Sequence, residues 1–423
     1  MYSKLFRCAL ISALLTSLFA TITVALAAQE SIDGASECKK PLSLEDFRAL
    51  AFQKSPLIAE IDAEYAGELA NAFEREVLRN PELNAEQVYT HARVYGDRDP
   101  QSQVALSQPL RLSNFGSRER VADLMRKAGD QQKRAKLLEL SQTLKLRFYT
   151  LHALQQVESV LKEAEEVATR KVSLLQESVK KGLLSEGDEK IFEGEKYRLQ
   201  AERRGVEAAI SLLQGELSRS VGVSCLITTS VTGTMKDIPT EQALIERARS
   251  SDISESGRLD LMAALSKEQS RLEELDAFPE FAPRVTYQHT NDGGDFFGAG
   301  IAIPLSIFNR NQGERLRATA AQAASEARQR LLMGGGLEHQ ITTLRNAAVR
   351  SKEQSDIFSG KVVPAYQAAL RSQERLYSVG RGTIMEMWQV FKLSNEVKVQ
   401  SANLLLDSIK ARSQLSMLIG EEV

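Results

Sequence analysis

The sequence predicts a mainly α-helical chain that carries four short β-strands and is built by internal duplication. Three observations predict this. No proline occurs between Leu110 and Ile238, as long helices require. In that stretch, apolar residues recur every 3.5 positions on average. And landmarks return after a shift of 198 positions: Pro41 with Pro239, Asp62 with Asp260, Pro81-Glu82 with Pro279-Glu280, Tyr89 with Tyr287, Gly182 with Gly380 and Gly222 with Gly420. Between these landmarks the shift slips to 195, where "QPLRLSNFGSRER" (108–120) meets "IPLSIFNRNQGER" (303–315).

The chain has 423 residues, enough to bury a core, and a formal net charge of -2. Without a basic excess there is no signal for nucleic acid. At the N-terminus, Lys4 and Arg7 precede an apolar run from Ala9 to Leu26, and Ala25-Leu26-Ala27 is a small-x-small cleavage site. Residues 1–27 therefore read as a secretion signal, with an uncleaved membrane anchor as the alternative. Residues 28–40 are an N-terminal extension. Cleavage leaves two cysteines, Cys38 and Cys225, either bridged in an oxidising compartment or both unpaired. Past the signal no 18-residue apolar run exists, so no transmembrane helix is expected.

The first repeat spans 41–222, a linker spans 223–238, and the second repeat spans 239–420. Each opens on a helical segment, Ser43 to Arg79 or Thr240 to Ala277. Ser55-Pro56 interrupts the first, and "SSDISESG" from Ser250 interrupts the second. Two strands follow in each repeat, at about 83–95 and 102–112, and at about 281–290 and 296–307. The turn-rich loops "GDRDPQ" (96–101) and "NDGGD" (291–295) separate them. Along the last strand Phe297, Ala299, Ile301, Ile303, Leu305 and Ile307 share one face. Gly298, Gly300, Ala302, Pro304 and Ser306 share the other. Such a pattern fits the apolar band of an outer-membrane barrel, and equally a half-buried soluble sheet.

Long helices follow the strands. From Leu137 to Val179 the apolar positions take twelve steps over 42 residues, the heptad period of a left-handed coiled coil. At ~1.5 Å per residue a helix from Ser117 to Lys180 is roughly 95 Å long. Gly334-Gly335-Gly336 and Pro364 fall inside the matching helix of the second repeat, where they predict bends or a break. Four strands cannot close a barrel, and open edges are not tolerated in lipid. Strands that span a membrane must therefore come from several chains; three chains give twelve strands.

With these features the sequence resembles the TolC-like outer-membrane efflux proteins over nearly the whole mature chain. The likeness rests on the signal segment, "LSLEDFRALAFQKSP" from Leu42, the duplicated helix–strand–strand–helix–helix plan, "YSVGRGTIMEM" (377–387) and "QLSMLIG" (414–420). "PLSIFNRNQG" (304–313) is similar to the strand exit of the cation-efflux, CzcC-like branch. The resemblance implies a homotrimer: a shared 12-stranded β-barrel in the outer membrane, above an α-helical barrel in the periplasm. It implies partners too, namely a periplasmic adaptor protein and an inner-membrane pump of the RND type. It implies no enzyme activity and no cofactor.

The resemblance also carries site residues. Helix-turn tips that meet the adaptor match Gly182, Leu183 and Ser185 in the first repeat, and Gly380, Gly382 and Thr383 in the second. Any helical hairpin needs a Gly for its turn and a Ser or Thr cap, so these residues fit a purely structural role as well. A gate of acidic side chains matches Glu386 and Gln389, with Asp188 at the equivalent place in the first repeat. Gln389 is not acidic, so a double acidic ring is not expected. Three Glu386 carboxylates around one axis would favour cations and raise each other's pKa; an ordinary exposed glutamate is the alternative.

Little else carries chemistry. No CxxC, HxH, HExxH, phosphate loop or GxSxG occurs in the mature chain. Met385-Glu386-Met387 reads as packing rather than a soft-metal site. The sequence thus points to a passive exit duct for metal cations, or for organic compounds or proteins. A soluble periplasmic coiled-coil scaffold is the reading from another class.

Overall fold

The computed structural model describes residues 41–91, 98–182, 185–231, 237–290, 293–305 and 307–423. The expected signal segment, the extension with Cys38, and Leu183 lie outside the described residues.

Two short helices open each half. In the first half these are α1 (Leu44–Lys54) and α2 (Pro56–Glu76). Ser55 ends one and caps the other. Its hydroxyl accepts the Leu57 N–H, and Pro56 supplies a preset φ at the first helical position. The strands β1 (Glu82–His91) and β2 (Arg98–Ser107) follow, then α3 (Ser117–Lys180) and α4 (Glu186–Val221). In the second half α5 (Glu241–Ser250) and α6 (Glu255–Leu275) lead to β3 (Ala282–His289) and β4 (Asp295–Ala302). Ser254 caps α6 as Ser55 caps α2, accepting the Gly257 N–H at 3.0 Å.

The strands form one antiparallel sheet in the order β1-β2-β3-β4. Val104 faces Ala85 on one side and Tyr287 on the other; Tyr287 in turn faces Phe297. Two strand ends fall short of the sequence expectation. β2 stops at Ser107 rather than near 112: Pro109 lacks an N–H, and past it the pairing continues as an isolated bridge, Leu110 to Phe281. β4 stops at Ala302 rather than near 307, just before Pro304.

α3 runs unbroken for 64 residues, about 96 Å. Its partner in the second half is divided. α7 (Gln312–Leu331) meets a π-turn at Leu332–Gly336. α8 (Leu337–Ile357) follows, then a second π-turn at Phe358–Val362 and α9 (Val363–Ser378). Gly335 has φ 94° and Gly334 has ψ 21°, both outside the helical region, so the glycine triplet makes a true kink. Pro364 sits in the first turn of α9, where its missing N–H costs least. The chain closes on α10 (Ile384–Ile419), 36 residues like α4.

The heptad face of α3 is the axis of the core. At mid-length Leu144, Phe148 and Leu151 bury against Phe47 and Ala51 of α1 and Leu217 of α4. Nearer the tips Leu161, Ala164, Ala168, Val172 and Leu175 pack with Phe192 of α4 and with Met387, Trp388 and Phe391 of α10. The two halves therefore share one core at that end. A third cluster joins Leu244 and Ala248 of α5 to Ile341 of α8 and Leu415 of α10.

Candidate functional site: the sheet and the helical tips

The sheet has two chemically distinct faces. Pairing aligns Leu83, Leu106, Val285 and Ala299 in one row and Ala85, Val104, Tyr287 and Phe297 in the next. This face is uncovered: Leu83 is 70% exposed, Phe297 81% and Ile301 67%. The other face carries Asn84, Glu86, Gln101, Gln103, Thr286 and Gln288, with small Gly298 and Gly300. There the Gln288 side-chain amide donates to the Gln101 oxygen at 3.0 Å. β1 and β4 lie at the two edges of the sheet, each paired on one side only. An apolar face this continuous marks an interaction surface, and two long open edges call for further strands.

At the far end of the long helices lie the tips. Gly182 (φ 71°) and Gly380 (φ 73°) both take the left-handed conformation that ends a helix. At the second tip the Arg381 N–H reaches the Leu376 carbonyl at 2.9 Å, and the Gly380 N–H reaches Tyr377 at 3.1 Å. That pair of bonds is a Schellman ending. Gly382 follows in a tight place, where an added Cβ would stand 3.2 Å from Gln373 Nε2 and 3.4 Å from the Tyr377 nitrogen. Ser185 directly precedes α4, and its carbonyl accepts the Glu189 N–H at 3.5 Å.

Thr383 and Glu386 form a reciprocal cap for α10. The Thr383 hydroxyl accepts the Glu386 N–H at 3.2 Å, and Glu386 Oε2 accepts the Thr383 N–H at 2.9 Å. Gln373 Nε2 stands 3.4 Å from the same oxygen. These bonds hold the carboxyl below the usual glutamate range, led by the Thr383 backbone N–H. A ring of like charges acts in the opposite direction; within one chain the local cap decides. Glu386 and Gln389 are both exposed, one helical turn apart on the same face of α10. Asp188 lies in the first turn of α4, next to the other tip.

What lies behind the gate candidates is marked by no motif in the sequence. Trp388, the chain's single tryptophan, is 5% exposed and sits between Phe192 at 4.6 Å and Phe391 at 5.0 Å. Lys171 Nζ lies 5.2 Å from the Tyr377 ring and links α3 to α9 just above the tips. The pattern Thr383-x-x-Glu386, a capping-box signature, was the available signal for the α10 start.

Among the described residues no group of three or more His, Cys, Asp or Glu is arranged to hold a metal ion. His289 Nδ1 lies 2.8 Å from Asp295 across the β3–β4 pair. Cys225 is disulfide-bonded. No described helix is long and apolar enough to cross a membrane.

A scan against protein-family models finds no match, and a search of curated proteins finds none either. Solved structures do match. The outer membrane protein VceC of Vibrio cholerae superposes with TM-score 0.72 at 16% identity, over 89% of this chain and 96% of that one. The CmeC outer membrane channel of Campylobacter jejuni gives 0.72 at 12% identity, over 89% and 85%. The MtrE outer membrane channel of Neisseria gonorrhoeae, solved in its open state, gives 0.69 at 12%, over 90% and 89%. The chain therefore has the fold of these channels, four strands and long helices included.

Proposed function

We propose that the chain is the outer-membrane exit duct of a three-part export system, spanning the periplasm as well. Three copies join their four-stranded sheets into one twelve-stranded barrel, and their long helices form the tunnel beneath it. One observation supports this above the others: a sheet with an uncovered apolar face and two open edges stands on a helix about 96 Å long and its divided counterpart. A soluble protein rarely leaves such a face to water, whereas lipid and neighbouring chains cover it at no cost. The likeness to outer membrane channels supports the same reading.

In this reading the duct catalyses nothing and holds no cofactor. Its step is gating. The tips at Gly182, Leu183, Ser185, Gly380, Gly382 and Thr383 meet a periplasmic adaptor, which connects the duct to an inner-membrane pump of the RND type. Glu386 and Gln389 of three chains, with Asp188 beside them, line the closed mouth. An anionic ring there favours cations, and the strand exit "PLSIFNRNQG" resembles the cation-efflux branch, so the cargo we propose is metal cations. A disulfide between Cys38 and Cys225 ties the N-terminal extension to the segment after α4.

Extraction tests the reading. The account expects a heat-resistant trimer released from membranes only by detergent. A monomer in the soluble fraction, without strand signal by circular dichroism, would leave a coiled-coil scaffold as the better description.

A further inference from the structure

Four chain crossings join the sheet to the helices, and they converge on one cradle just below it. Arg79 precedes β1, Arg111 follows β2, Glu280 precedes β3, and Arg310 follows β4. Together with Arg75, Glu273 and Asp276, they surround a cleft of about 550 Å³ and its smaller neighbour.

Both signs of charge are fixed there side by side. Arg111 stands 3.2 Å from Asp276 and 3.5 Å from Glu280. Arg79 stands 3.0 Å from Glu280, and Arg75 stands 4.0 Å from Glu273. Asn311 Nδ2 donates to Glu273 Oε2 at 2.6 Å and holds that carboxylate in place. The arginines still face outward: the side chain of Arg79 is 65% exposed and that of Arg75 53%. Glu314 also lines the cleft; its side chain is half exposed and pairs with Arg317.

Exposed apolar residues adjoin the two clefts along the chain. Leu78 lines the smaller cleft, and Leu112, Phe278 and Phe308 are chain neighbours of lining residues; Phe308 is 93% exposed. Leu305 and Ile303, also exposed, connect this stretch along the chain to Ile301 on the apolar face of the sheet. A purely anionic ligand would meet the carboxylates, and a purely cationic one the arginines. A ligand with a phosphate and an ammonium on one head, and acyl chains to lay along these apolar residues, satisfies all three surfaces.

We propose that this cradle binds the headgroup of a zwitterionic phospholipid with a primary ammonium, phosphate toward Arg75 and Arg79 and ammonium toward Glu314 and Glu273. The bound lipid fixes the depth of the sheet in the membrane. The inference rests on the reading that the apolar face of the sheet meets lipid.

Native mass spectrometry of the full chain in detergent tests it, with dioleoylphosphatidylethanolamine, dioleoylphosphatidylglycerol and inorganic phosphate as probes. The ethanolamine lipid is expected to be retained roughly tenfold better than the glycerol lipid, as one charge-assisted contact implies. Inorganic phosphate should not displace it. The double variant Arg75→Gln, Arg79→Gln should lower retention by at least about tenfold, and Lys190→Gln at the tip should leave it unchanged. Equal retention of the two lipids, displacement by inorganic phosphate, or undiminished retention in the double variant overturns the proposal. The lipid competition needs no variant, so it decides even if the double variant assembles poorly. A detergent-dependent oligomer that retains no ethanolamine lipid overturns this inference alone. A chain that stays in solution without detergent overturns the membrane reading with it.

Discussion

Gly116 and Asn311 occupy the same left-handed backbone position, φ 75° and 59°, as the residues directly before α3 and α7. One half makes the strand-to-helix bend with a glycine and the other with an asparagine, which tolerates this conformation better than most residues. Asn311 adds a tether, since its amide donates to the Glu273 carbonyl at 3.2 Å and to its carboxylate at 2.6 Å. Gly116→Ala is therefore expected to cost about 1 kcal/mol at the α3 start. Asn311→Gly keeps the bend and loses only the tether, and Asn311→Ala loses both. Hydrogen exchange in the first turns of α3 and α7 reads the order; equal protection in all three variants would contradict it.

The four left-handed glycines that end long helices fall into two pairs. At Gly182 and Gly380 a Cβ would meet nothing within 4 Å. At Gly222 it would stand 2.5 Å from the Lys54 carbonyl oxygen, and at Gly420 2.6 Å from the Ser254 nitrogen. All four substitutions to Ala carry the strain of positive φ, about 1 kcal/mol. The second pair adds a backbone clash against the short helices of its own half. Gly222→Ala and Gly420→Ala should therefore lower the unfolding midpoint well below that of Gly182→Ala and Gly380→Ala. Four equal midpoints would argue against this packing.

Trp388 reports on the core behind the tips. Trp388→Ala should destabilise that end by about 3–5 kcal/mol, since it empties the space between Phe192 and Phe391. Phe192→Ala should admit water and shift the emission of the single tryptophan to longer wavelength. Unshifted emission would mean that the ring is not held there.

The cap that Glu386 makes and the ring charge proposed for it separate by substitution. As a cap it acts with Thr383; as a ring charge it acts alone. Thr383→Ala should cost about 1 kcal/mol at the α10 start and leave ion preference unchanged. Glu386→Gln should reduce single-channel cation preference. Equal preference in Glu386→Gln and the native chain would remove the ring from the account. The pH dependence follows from the lowered carboxyl. The ionised cap stabilises fully above the ordinary glutamate range and is lost as pH falls through the lowered value. Tip order should decline in that acid window.

How much of this was legible in the sequence depended on whether one chain or several supply the physics. The heptad residues Phe148, Leu151, Leu161, Ala164 and Ala168 are buried, because a long helix must hide its stripe within the chain. Gly182 and Gly380 were visible as turn formers and Gly222 and Gly420 as repeat ends, and all four have positive φ. The strand ends were less legible, since the alternation of Ile303, Leu305 and Ile307 continues past the last ladder bond at Ala302. Within "NRNQG" the bend falls on Asn311, and Gly313 is already helical. The cradle was invisible, because Arg79, Arg111, Glu280 and Arg310 are far apart in sequence. The uncovered faces of α7 and α9, which bury no residue, carry no signal that names their partner.

The central claim is that sheets from separate chains close one barrel, and a cross-link between the sheet edges tests it most directly. Within one chain β1 and β4 are separated by two strands, about 14 Å, too far for a disulfide. Cysteines placed at Leu83 on β1 and, in turn, at Ala299 or Ile301 on β4 can therefore bridge only between copies. The account predicts, for at least one pair in native membranes, covalent dimers and then a ladder that stops at trimer. Monomer alone for every pair, or a ladder continuing past trimer, would contradict it.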